Sequence, residues 1–309
     1  NKRFSLSRSL RVLALWVALS AVMVNFQAAR FASGQAPTEM LHFPELDAGF
    51  RLLYQLKFRE ARAQFEAWQK SHPEGALGYS SEAASYLFEE SDRLGILTSD
   101  FFLDDKCFLG NVPLEPDPKL REAFFTANKR AQDVAQFRLS ENGANPNALF
   151  AMAMSLGMQA DYAGLIEKRH LDSLKKIREA ETYSKKLLAV SPAAYDAYFG
   201  LGIVNYTEGS LPRPKKFFLG LAGIHGNKAK GINQLGIAAT DGHYLRPFAK
   251  ILLALTALRE KKPEVARTEF TELASEFPEN PLFASELAKL NASPAVGTPK
   301  SSTPCPNPH

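Results

Sequence analysis

The sequence predicts an all-α protein assembled from antiparallel helix pairs that recur along the chain. Three observations predict it. From about residue 44 to 290, most apolar residues recur at i, i+3, i+4 and i+7, the period of a helix with one buried stripe. Runs of strict alternation, which would mark half-buried strands, are few. One spacing of small residue, large apolar residue and proline returns in segments about 200 residues apart, the self-similarity expected of a repeat.

The N-terminal segment does not share this pattern. "NKRFSLSRSLR" is basic, Val12 to Val24 is apolar, and "FASGQA" supplies small residues, the order of a secretory signal peptide. Ala32 and Gly34 place cleavage before Gln35. The apolar run is shorter than the ~20 residues a membrane span needs, which favours a cleaved leader over a retained anchor. The expected organisation is therefore a signal peptide (1–34), a linker (35–43), a helical repeat domain (44–290) and a Pro/Ser-rich tail read as disordered (291–309). Residues 1–34 hold five basic residues and no acidic one, so their removal takes the formal charge from +4 to −1. A near-neutral chain of this kind gives no reason to expect nucleic acid as a partner. The expected compartment is the periplasm or the extracellular space.

Within 44–290 the helices justify themselves in order. In "FREARAQFEAWQKSHP", Ala61, Phe65 and Trp68 share a stripe that ends before Pro73. "PEVARTEFTELASEFP" repeats the spacing with Ala266, Phe270, Leu273 and Pro278. "IREAETYSKKLLAVSP" keeps Ala180, Leu187 and Pro192 but has Ser184 at the aromatic position. Tyr79 and Tyr198 stand six residues after Pro73 and Pro192, with Ala83 and Gly202 ten residues after those prolines. "ALFAMAMSLGMQADY" reads as a further first helix. Two stretches interrupt the array, near 90–118 and 207–243, and read as irregular insertions.

This spacing resembles the tetratricopeptide (TPR) repeat, in which a small residue lets paired helices approach, an aromatic fills the gap and proline closes the second helix. Residues 198–255 further resemble the long-TPR family of tetratricopeptide repeat protein thirty-nine and its bacterial relatives. The matching features are Gly200, Gly202, Asn205, Pro212, Gly226, Lys228, Gly231 and Leu235. Asn227-Lys228 departs from the acidic residue common in that family's loop. The resemblance implies a TPR-like α-solenoid with interaction roles, and it brings no catalytic residues.

The glycine-rich "GLAGIHGNKAKG" (Gly220 to Gly231) invites a nucleotide reading. A phosphate-binding loop of that kind ends in G-K-[ST], and here Gly226 is followed by Asn227, Lys228 and Ala229. The segment reads instead as a helix connector in which Gly226 adopts positive φ. His225, Asn227 and Lys228 are its candidate functional residues. His225, Asp241 and His243 flank one predicted helix of about a dozen residues. At 1.5 Å rise its ends lie ~18 Å apart, too far to share one metal ion. Asp100, Asp104 and Asp105 lack the alternation a calcium loop requires. No serine sits in G-x-S-x-G. The basic run of Arg213, Lys215 and Lys216 before Phe217 and Phe218 allows peripheral contact with anionic lipid. Cys107 and Cys305 are expected to remain unpaired.

The functional expectation is a non-enzymatic scaffold of the cell envelope, without cofactor or metal, binding a protein or peptide in an open groove. Tyr79, Tyr198, Asn205 and Tyr206 are its candidate partner-binding residues. The rival expectation is a small-molecule or lipid binder, or an enzyme, with a pocket closed by the two insertions.

Overall fold

Residues 42–210 and 226–292 are described by a computed structural model, and all belong to one unit, Glu39–His309. Among the described residues every regular element is helical: α1 (Pro44–Tyr54), α2 (Phe58–Ser71), α3 (Ala76–Arg93), α4 (Ser99–Leu103), α5 (Asp105–Phe108), α6 (Pro118–Glu141) and α7 (Pro146–Asp161). A π-helical turn (Tyr162–Ile166) follows, then α8 (His170–Val190), α9 (Ala197–Ser210), α10 (Lys228–Asp241), α11 (Arg246–Arg259), α12 (Pro263–Glu276) and α13 (Pro281–Ala292). The expected signal peptide, cleavage site, basic run and C-terminal tail lie outside the described residues.

Starts and stops follow local chemistry. Proline opens α6 and α7, where its missing N–H leaves no helical bond unmade. Ahead of α6, the Asp117 carboxylate accepts from the amides of Lys119 (2.8 Å) and Leu120 (2.9 Å). Asn145 caps α7 through the Ala148 amide at 3.0 Å. Two corners share one geometry. Leu56 (φ 62°) ends α1 and Lys261 (φ 58°) ends α11. There Lys57 N–H reaches the Leu52 carbonyl at 3.0 Å and Lys262 N–H the Ala257 carbonyl at 2.8 Å. Each is the six-to-one bond of a left-handed helix stop, and each lies five residues before the matched Ala61 and Ala266.

The helices pack in adjacent pairs: α1 with α2, α3 with α6, α7 with α8, α9 with α10, and α11 with α12, with α13 against the last. All nine residues aligned on the second-helix spacing are buried, from Ala61, Phe65 and Trp68 to Ala266, Phe270 and Leu273, with Ala180, Ser184 and Leu187 between. The segment 207–243, expected as an insertion holding one helix of about a dozen residues, holds α10, paired with α9. The stretch 94–117 holds only the short α4 and α5. Its acids turn toward the C-terminal helices. Asp100 meets Lys289 at 2.8 Å, Asp105 pairs with Arg259, and Glu286 on α13 takes the Ser99 amide at 3.2 Å. Cys107 is disulfide-bonded, against the expectation of two unpaired thiols; the chain's other cysteine, Cys305, lies outside the described residues.

Gly226 also corrects its expectation. Among the described glycines only Gly95 has positive φ, at 69°. What Gly226 supplies is space: an added Cβ would collide with the Glu208 Cβ and the Gly209 amide nitrogen of α9. Gly231 does the same one turn into α10, where a Cβ would lie 2.8 Å from the Gly202 carbonyl oxygen. The two helices thus touch backbone to backbone, the close approach that lets glycine outweigh its low helix propensity.

The chain also closes on itself. Phe50 of α1 meets Tyr244, which precedes α11, at 4.8 Å between ring centroids. Tyr54 OH donates to the Tyr244 carbonyl at 2.9 Å, and Tyr244 OH accepts from the Phe43 amide at 3.0 Å. Asn280 Nδ2, just before α13, donates to the Tyr54 carbonyl at 2.8 Å. Phe88 of α3 and Phe199 of α9 both contact Phe248 of α11, at 5.1 and 5.0 Å. The first helices of the pairs therefore converge on one apolar interior where an open groove was expected.

Phe65→Ala and Phe270→Ala are each expected to lower unfolding free energy by about 3–5 kcal/mol, measured by denaturant titration. A loss within ~0.5 kcal/mol would mean these positions are not equivalent core sites. Gly226→Ala is expected to lower the melting temperature clearly. Lys228→Ala, which removes a partly exposed ion pair with Glu260, should shift stability by less than about 1 kcal/mol.

Candidate functional site

Among the described residues, two places that combine a concavity with chemistry stand out. The first is an open trough of ≈500 Å³ between α3 and α6, lined by Tyr79, Glu82, Tyr86, Lys119, Glu122 and Arg130 among others. The Arg130 guanidinium lies 5.5 Å from the Tyr79 ring centroid, and Arg62 lies 4.4 Å from that of Tyr86. Glu82 accepts from Gln69 Nε2 at 2.9 Å, and burial pushes its carboxyl above the usual value. The trough therefore presents two half-buried rings flanked by charges of both signs.

The other residues singled out from sequence lie apart from it. Tyr198 packs beside Phe199 and Leu235 at the junction of α9, α10 and α11. Asn205 is buried, donating to Gln234 Oε1 at 2.9 Å and to the Leu201 carbonyl at 3.0 Å. Its amide group is spent on joining α9 to α10. Tyr206 OH donates to Glu260 at 3.2 Å, and Lys228 Nζ reaches the same carboxylate at 2.7 Å. That ammonium holds the Glu260 carboxyl below its ordinary value. Asn227 caps α10 through the Lys230 amide at 3.0 Å. His225 lies outside the described residues. His243 reaches Asp47 at 2.6 Å through Nε2. Among the described residues no group of three or more His, Cys, Asp or Glu side chains is placed to hold a metal ion.

The second place is internal and was not singled out in the sequence. Two cavities of ≈110 and ≈80 Å³ lie in the interior where the first helices converge. They share the wall formed by Leu53, Tyr54, Phe88, Met158, Asp161 and Phe248. The larger also borders Ile96, Leu97 and Phe102 of the 94–117 stretch, and the smaller Phe199 and Ile203 of α9. Three carboxylates stand on these walls. Glu286 is held by Ser99 and by Lys289 at 2.9 Å. Asp196 accepts from the amides of His243 (2.9 Å), Tyr244 (3.2 Å) and Leu245 (2.9 Å).

Asp161 has no such partner: among the described residues no hydrogen-bond donor or cation meets its side chain, and no Lys, Arg or His lines either cavity. Burial alone pushes its carboxyl up to about 7. Local structure explains its placement. Asp161 ends α7, a helix apolar on nearly every face, and the π-helical turn begins at the next residue. Tyr162 is fully buried and stacked on Phe124 at 5.0 Å, and Leu114 N–H donates to the Ile166 carbonyl at 2.9 Å. Lys168 then takes φ 55° and sends Nζ to the Cys107 carbonyl at 2.7 Å. A single acid closing "NALFAMAMSLGMQAD" was the available signal, but sequence alone does not show what faces it.

No protein-family model, curated protein or solved structure matches this chain.

Because the Asp161 pKa is raised on folding, the fold holds a proton that the unfolded chain has already released. The associated stability is full below the unfolded value, near 3.9, and is lost as pH rises through about 7. Asp161→Asn keeps the shape without the titration. Its stability relative to the parent is expected to grow between about pH 4 and pH 8, by up to about 4 kcal/mol. Chemical denaturation across that range checks this, and a pH-independent difference would contradict it.

Proposed function

We propose that this chain is an exported, non-enzymatic TPR-like α-solenoid of the cell envelope that binds a segment of a partner protein. The observation that carries the reading is the open trough between α3 and α6. Helix pairs cannot bury their apolar faces alone, so stacking supplies the core and leaves such troughs between neighbouring helices. Tyr79 and Tyr86 offer rigid, amphipathic contact surfaces, and Arg130 and Lys119 offer cations for an acidic side chain or a chain terminus. Recurrence of one corner geometry in the first and last pairs, at Leu56 and Lys261, supports the repeat reading. The N-terminal basic–apolar–small order supports export, with the mature chain starting near Gln35. The partner belongs in the periplasm or outside the cell and is neither nucleic acid nor a cofactor.

A photo-crosslinking side chain installed at Tyr79 or Arg130 of the exported protein is expected to trap one discrete partner. The same group at exposed Val265, on another helix, is expected not to trap it. Equal labelling from all three positions, or none from the trough, would reject this reading.

A further inference from the structure

The two internal cavities combine features that call for a ligand of one chemical class. Their walls are mainly hydrocarbon and aromatic, and among the described wall residues the carboxylate without a protein partner, Asp161, stands where they meet. Glu286 and Asp196 show how this fold treats a buried acid it needs for architecture: it surrounds each with donors. Asp161 is treated differently. It lines both cavities with its side chain only partly covered. An unpaired carboxylate in a low-dielectric wall is costly, and a cation brought to it recovers that cost through a strengthened ion pair. The rings of Tyr54, Phe88 and Phe248 share that wall and favour a cation over a neutral group.

We propose that the paired cavities are a binding site for a small hydrophobic amine, with Asp161 receiving the ammonium and the hydrocarbon filling the adjoining apolar space. The site lies inside the ring of first helices, so it is separate from the α3–α6 trough and does not depend on the peptide-binding reading. The geometry also states what it refuses. A carboxylic acid of the same length brings like charge to Asp161. An alcohol offers a hydrogen bond but no ion pair. A diamine drives a second ammonium into walls that hold no second free acid.

The test uses the full mature chain with four probes of one chain length: hexylamine, hexanol, hexanoate and hexane-1,6-diamine. Affinities come from calorimetry, supported by thermal shift. Hexylamine is expected to bind at least about tenfold more tightly than hexanol, as a desolvated charge pair should, with hexanoate undetectable and the diamine weaker than the monoamine. Asp161→Asn should lower hexylamine affinity at least about tenfold while leaving hexanol within about threefold. Met158→Phe, which narrows the space beside Asp161, should weaken both. The ladder is measured on the parent protein, so it decides the matter even where a variant fails to fold. Absence of hexylamine binding at millimolar concentration, equal binding of amine and alcohol, or full amine affinity in Asp161→Asn would each overturn the assignment.

Discussion

The position of Tyr244 governs how α1 docks beside the start of α11, and a buried carboxylate sets that position. Asp196, in the turn before α9, gathers the amides of three consecutive residues, His243 to Leu245, just ahead of α11. Three charge-assisted bonds inside a dry corner hold the backbone there far more firmly than a loop between helices would hold itself. Burial raises the Asp196 carboxyl, and those same three amides oppose the rise. With its backbone pinned, Tyr244 offers a carbonyl to Tyr54, a hydroxyl to Phe43 and a ring to Phe50. One carboxylate on the fourth helix pair thereby docks the first pair.

That closure decides what kind of interior the protein has. An open array of helix pairs leaves its first helices facing solvent along a groove. Here the first helices face each other, and aromatic contacts among Phe88, Phe199 and Phe248 seal the middle. The 94–117 stretch completes the wall, tied to α11 by Arg259 and to α13 by Glu286 and Lys289. Its acids, which resembled a failed calcium loop in sequence, act as fasteners between parts of the chain far apart in sequence.

Much of the pairing was legible in the sequence because it is local. Helical period, proline stops and the recurrence of alanine, aromatic and leucine at fixed offsets depend on neighbours within a few turns, and the aligned residues are buried together. Asn227, placed in the connector as a candidate functional residue, instead caps α10. Gly226 was misread. Its loop setting pointed to positive φ, whereas the requirement comes from α9 approaching from outside the local segment. Asn205 looked like a groove residue because polar groups on first helices often are, yet Gln234 opposite it absorbs its amide. Asp161 and the closure through Tyr54 and Tyr244 rest on contacts between residues far apart in sequence, which no periodicity announces.

The docking of α1 against the C-terminal helices also bears on how the chain reaches its final state. In a linear array each helix pair needs only its predecessor, so order spreads from one end as the polypeptide emerges. Here Tyr54 waits for Asn280, across 226 positions of sequence, before its carbonyl is satisfied. Contacts of that span slow the search, because loop entropy is lost before the contact rewards it. An emerging chain would pack Phe50 on Phe65 of α2 early, but would leave its Tyr244 contact unmade until the region ahead of α11 arrives.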